Sequence, residues 1–124
     1  MNRLLVELRL IGAMILDIAL NDYLHSLIDA QDFHEALLRR AWLTIAELKK
    51  SIGNVNLDLV CGRIELHGID IDAESVRELF EYAASSQFAG VGCTAKSDWF
   101  TLAQDRGNVL TIEGRYFIAQ PNGQ

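Results

Sequence analysis

The sequence lacks most of the features that place a protein quickly. It has no basic excess, since 17 Asp and Glu stand against 11 Lys and Arg for a formal charge of −6. With no surplus of cations to displace phosphate counterions, the chain is expected to bind neither nucleic acid nor an anionic membrane surface. Long apolar runs are missing too. The uncharged stretch Leu10 to Leu16 is bounded by Arg9 and Asp17, far short of the about 20 residues that a spanning helix needs. Glu7 and Arg9 interrupt any signal-peptide core and no small-residue cleavage site follows, so the expected location is cytoplasmic. There are two cysteines, Cys61 and Cys93, which suits free thiols in a reducing compartment better than a disulfide framework. No glycosylation sequon, internal repeat, low-complexity tract or linker occurs.

What is present is core material. Of the 124 residues 50% are hydrophobic and 23% charged, which supports one domain of roughly 14 Å radius of gyration. No disulfide, metal or cofactor is needed to hold such a core together, and none is expected.

Hydrophobic spacing sets the expected elements. Residues 3–29 read as one long helix, with Glu7, Asn21, Asp22, His25, Ser26 and Asp29 on one side. Opposite them run Leu5, Leu16, Leu20, Tyr23, Leu24 and Leu27. Asp32 followed by Glu35 resembles a capping box for a second helix, whose stripe is Leu37, Leu38, Ala41, Ile45, Leu48 and Ile52. Lys49 and Lys50 favour its last turn, Gly53-Asn54 ends it, and the two helices form a hairpin.

Residues 55–69 then read as a β-hairpin turning at Cys61-Gly62, with Leu57, Leu59, Ile64 and Leu66 on one face. A third helix over 73–87, capped by Asp72, buries Val76, Leu79, Phe80 and Ala83. A second hairpin over 98–104 and 109–119 turns through Arg106-Gly107-Asn108. The expected order is α-α-β-β-α-β-β, an α+β domain over 1–124 with an antiparallel sheet and helices to one side.

Candidate sites are sparse. Gly90 to Ser97 differs from the phosphate-cradling G-x-x-x-x-G-K-[ST] by Ala95 in place of glycine. That loop must follow a strand and open a helix, whereas here a helix precedes and a strand follows, so its glycines read as turn residues. Asp22, His25, Asp29 and Asp32 share a helix face or its end, but one Asp-x-x-His spacing is no di-iron set, and a solvated polar face is expected. Cys61, His67 and Cys93 match no common zinc spacing and lack a fourth ligand. Cys93 in its glycine-rich loop, with His67 as partner, is the one nucleophile arrangement to weigh. Trp99, Phe100, Tyr116 and Phe117 cluster in the second hairpin, so Trp99, Tyr116, Cys93 and His67 are the ligand-pocket candidates. Ile112-Glu113-Gly114-Arg115 spells a factor Xa recognition tetrapeptide, read here as coincidence inside a strand.

Two features point to association. The segment from Glu65 to Glu81 holds six acids and one base, Arg77; it reads mainly as a solvated, well-capped helix, and its functional reading is a docking face for a partner with a basic surface. The first helix also carries a second apolar stripe, Ile11, Met14, Ile15 and Ile18, roughly opposite Leu16 and Leu20. Two stripes require cover on two sides, which either this chain or a second copy provides. At about 1.5 Å per residue the helix is roughly 40 Å long and overhangs such a domain, so a homodimer through that stripe is expected. The function expected is therefore that of a non-enzymatic homodimeric accessory or interaction protein. The alternative is a small-molecule binder or minor enzyme with a pocket between the second hairpin and the 88–97 loop.

Overall fold

The computed structural model describes residues 3–25, 28–85, 88, 109–113 and 116–120. Among these the body is helical: α1 (Arg3–Leu16), α2 (Ile18–His25), a 3-10 turn (Ala30–Asp32), α3 (Ala36–Ser51), α4 (Leu57–Arg63) and α5 (Ala73–Ala83). The α+β domain built on an antiparallel sheet is not what forms. No strand lies in the described part of 3–85, and the segment expected as the first hairpin contains α4. Two strands, β1 (Val109–Glu113) and β2 (Tyr116–Gln120), pair antiparallel in a two-stranded ladder of their own.

The reason for the failed hairpin is visible locally. Leu57, Val60, Cys61 and Ile64 are spaced i, i+3, i+4 and i+7; Val60 is fully buried and the other three pack partly against the core. The alternation of Leu57 with Leu59 and Ile64 with Leu66 imitates a strand, but the helical period also fits. Asn56 decides between them. Its backbone is extended and its side-chain oxygen accepts from the Leu59 amide at 2.9 Å, a helix N-cap. The hairpin also required Asp58 opposite Glu65, a like-charge pair; in the helix Asp58 is free to pair with Arg77 of α5 instead.

The second hairpin is shifted as well. Glu113 stands opposite Tyr116, Ile112 opposite Phe117 and Leu110 opposite Ala119. The stretch expected as one strand over 109–119 is therefore two, separated by Gly114-Arg115. The expected partner strand over 98–104 and the 106–108 loop lie outside the described residues.

The first long helix is broken at Asp17. Asp17 N still donates to Ala13 O and Asn21 N to Asp17 O, but the Met14 carbonyl accepts from Asn21 Nδ2 at 2.9 Å. A side chain inserted into the i→i−4 ladder is a recognised cause of a helix break. The phase of α1 is also the reverse of the simple reading. Glu7 is fully buried with Val6, Leu8, Leu10, Ile11, Ala13, Met14 and Ile15, while Leu4, Leu5 and Leu16 are exposed. The helix is covered on most sides, by α2, α3 and α5. Glu7 tolerates burial because its Oε1 accepts from the His34 amide at 2.7 Å, which ties α1 to the chain entering α3.

The 3-10 turn takes the capping box expected of α3. Asp29 accepts from Ala30 N at 2.8 Å and Asp32 Oδ2 from Asp29 N at 2.7 Å, leaving Glu35 as an N-cap with no side-chain bond. Helix α3 buries Leu38, Ala41, Thr44, Ile45 and Leu48. It ends at Gly53, whose φ of +77° suits only glycine and whose amide donates to Leu48 O. Helix α5 buries Val76, Phe80 and Ala83.

The tightest approach is between α1 and the end of α5. A Cβ on Gly12 would sit 1.8 Å from the Ala83 carbonyl oxygen and 2.3 Å from its carbon. Gly12→Ala is therefore expected to cost about 3 kcal/mol or more in urea unfolding, because backbone must move to admit the methyl. Gly62→Ala, with nothing within 4 Å of its added carbon, is expected to stabilise by about 0.5 kcal/mol from helix propensity.

Candidate functional site

The four residues expected to form a ligand pocket are not brought together within the described part. Trp99 and Cys93 lie outside it, and Tyr116 is placed by its backbone at the start of β2. His67 lies in an open groove of about 700 Å³ lined by Arg40, Leu43, Thr44, Glu47, Arg63, Glu65 and His67. The groove separates α3 from the chain leaving α4. Arg40 crosses it, donating to the carbonyls of Glu65 at 2.6 Å and His67 at 3.1 Å. Arg63 pairs with Glu47 at 3.2 Å, and Glu65 Oε1 accepts from the His67 amide at 2.8 Å. Arg63 and Glu47 neutralise each other while Arg40 and Glu65 bond backbone groups, and the groove also offers the 52% exposed Leu43. Leu43 belongs to no apolar stripe of α3, and that mismatch was its signal in the sequence.

The residues weighed as metal ligands have other partners. Asp22 pairs with Lys49 of α3, His25 stacks on Trp42, and Asp29 and Asp32 cap the 3-10 turn. Among the described residues no group of three or more His, Cys, Asp or Glu is placed to hold a metal ion. The His25 and Trp42 rings lie 5.1 Å apart and 5° from parallel. Burial lowers the His25 pKa from its ordinary 6.5; Lys49 lowers it further and Asp22 raises it. Two side-chain atoms of this stack, His25 Nδ1 and Trp42 Nε1, are buried without a hydrogen-bond partner, as is Asn21 Oδ1 one turn earlier on α2.

The acidic segment becomes an exposed face of α5. Asp72 caps the helix, accepting from Ser75 N at 2.7 Å and Ser75 Oγ at 3.1 Å, and these bonds hold its carboxyl below the usual range. Arg77 is committed to Asp58 on α4. Glu74, Glu78 and Glu81, spaced i, i+4 and i+7, share a solvent-facing side and have no ion-pair partner among the described residues. Beside them stands Tyr82, 58% exposed, its ring 4.6 Å from that of Phe88. Tyr82 was not singled out in the sequence, where it reads as one more aromatic near the end of a core helix.

The stripe expected at a dimer interface lies inside the protein. Ile11, Met14 and Ile15 are 0%, 1% and 6% exposed, covered by the chain itself, and the Ile18 side chain is outside the described set. Comparison with protein-family models, with curated proteins and with solved structures gave no match. Among the described residues no helix is long and apolar enough to cross a membrane.

Cys61 is a free thiol on α4. Burial pushes its pKa up, Arg77 pulls it down, and Asp58 and Glu81 push it up again. A raised pKa leaves less thiolate at neutral pH. In a Cys93→Ser background, alkylation at pH 7.5 is expected to be several-fold slower than for the urea-unfolded chain. Arg77→Gln should slow it further, and a rate equal to that of the unfolded chain would contradict the assignment.

Proposed function

We propose that this protein is a non-enzymatic interaction protein whose outer α5 face docks a partner with a basic surface. The observation that carries the reading is the combination on one side of α5: three exposed glutamates without ion-pair partners beside a largely exposed tyrosine. Carboxylates at helical spacing steer a cationic partner by long-range attraction. A tyrosine offers amphipathic contact area and a ring face for a guanidinium. The location proposed with it is the cytoplasm, for which the free Cys61 thiol is the supporting feature.

The assembly proposed is a homodimer. With Ile11, Met14 and Ile15 in the core, the surface this reading assigns to the second copy is the outer side of α1, where Leu4, Leu5 and Leu16 are 46%, 40% and 43% exposed. Light scattering at two concentrations is expected to give twice the 13.9 kDa chain mass, falling to the single mass in Leu16→Glu. A monomer at both concentrations would remove the dimer and leave the α5 reading standing.

The docking face is tested with a fluorescein-labelled, arginine- and lysine-rich 12-residue peptide, followed by anisotropy. Three exposed ion pairs at about 0.5 kcal/mol each correspond to roughly tenfold in Kd, so Glu74→Gln/Glu78→Gln/Glu81→Gln is expected to weaken binding by that factor. Tyr82→Ala should weaken it with little change in salt dependence. Equal binding by the triple variant would overturn the proposal.

A further inference from the structure

The seam between α2 and α3 is built unlike the rest of the body. Helix α2 is eight residues long, too short to persist without packing, and it is set off from α1 by the break at Asp17. It carries Asn21 and His25, one turn apart. Asn21 is fully buried yet satisfied only through Nδ2, because its Oδ1 has no partner. His25 Nδ1 and Trp42 Nε1, in the ring stack that joins α2 to α3, are also buried and unpartnered. Each such atom has lost its water without replacement, a cost that neighbouring packing must offset. Among the described residues, the His25–Trp42 ring stack and the exposed Asp22–Lys49 ion pair join α2 to α3, while Leu24 of α2 is buried in the core.

We propose that this seam is a pH-sensitive latch, in which protonation of His25 breaks its stack on Trp42 and releases α2 from α3 while the remaining helices stay packed. Lys49 on α3 and Asp22 on α2 are the two charged groups that act on His25. Lys49 repels the imidazolium. Asp22 attracts it, but that carboxylate already pairs with the Lys49 ammonium. A proton arriving on His25 therefore puts a second cation at the seam and a charge on a half-buried ring. Water reaching the opened stack would also satisfy Trp42 Nε1 and the imidazole N–H groups together, so the closed state loses two liabilities at once when it opens.

The direction with pH follows from the lowered pKa of the folded protein. Between the folded value and the ordinary 6.5 the open form binds more protons than the closed one. The closed state is therefore fully favoured above about pH 6.5 and loses ground as pH falls through that window. This places the transition in the mildly acidic range.

The test uses Trp42 emission in a Trp99→Phe protein, which leaves one tryptophan. Between pH 8 and pH 5 the emission is expected to titrate with a midpoint below 6.5 and shift to the red as the indole reaches water, while far-UV helicity stays largely in place. Lys49→Met should raise the midpoint, Asp22→Asn should lower it, and His25→Gln should abolish the transition. Hydrogen exchange on the unsubstituted chain reads the same event: α2 amides should lose protection below pH 6 while α5 amides keep theirs. A transition that survives in His25→Gln, one that coincides with loss of all helicity, or unchanged α2 protection at pH 5.5 would each overturn the latch.

Discussion

The structure depends on one close contact, the approach of α5 onto α1 at Gly12. The Ala83 carbonyl lies where any side chain on residue 12 would have to be, so the end of α5 sits directly against the α1 backbone. With that face covered, and α2 and α3 on other sides, α1 becomes the central rod of the body. A helix in that position must be apolar nearly all round, and its one buried acid must find a partner indoors. Glu7 does so at the His34 amide. The same residue thus fixes where the chain entering α3 lies relative to the rod.

That centrality explains what the sequence disclosed and what it hid. Of the two apolar stripes on the first helix, Ile11, Met14 and Ile15 are covered by the chain itself, whereas Leu5 and Leu16 of the other stripe are exposed. Taking Glu7 and Asn21 as the solvent side reverses the phase, since both are buried and Leu5 and Leu16 face outward. Acids and amides count as surface residues only on average. Here one accepts from a backbone amide, and the other donates to the Met14 carbonyl where the helix breaks. Neither bond leaves a trace in local periodicity.

Helix α4 failed for a different reason. Leucines at 57, 59, 64 and 66 satisfy a strand, while 57, 60, 61 and 64 satisfy a helix, and seven residues are too few for the period alone to choose. The arbiter was the Asn56 cap, together with the unfavourable Asp58–Glu65 pair that a hairpin would impose. Disagreement between levels of that kind is evidence against a local assignment. The helix at 73–83 was readable because pattern and the Asp72 cap agreed; the one at 36–51 was readable from its apolar stripe and its basic last turn, although its expected cap went to the 3-10 turn. The candidate site was less readable. The glutamates of α5 were visible as an acidic segment, but that they face solvent beside Tyr82 depends on which side of α5 meets α1.

Helix α3 ties these surfaces together. Leu38, Ala41, Ile45 and Leu48 face the core; Trp42 and Lys49, seven residues apart and so nearly in line, form one edge of it at the α2 seam. Arg40, Leu43 and Glu47 occupy the opposite side, at the open groove. Arg40 holds the Glu65 and His67 carbonyls, and Arg63 holds Glu47, so the groove side is fastened by charge-assisted bonds. The seam side is fastened by a ring stack and an exposed ion pair beside orphaned polar atoms. An element held firmly on one side and weakly on the other yields on the weak side first. Loss of α2 would remove its cover from α1 but leave the Gly12 contact with α5 and the α3 groove intact, which is why the outer face of α5 can persist through that change.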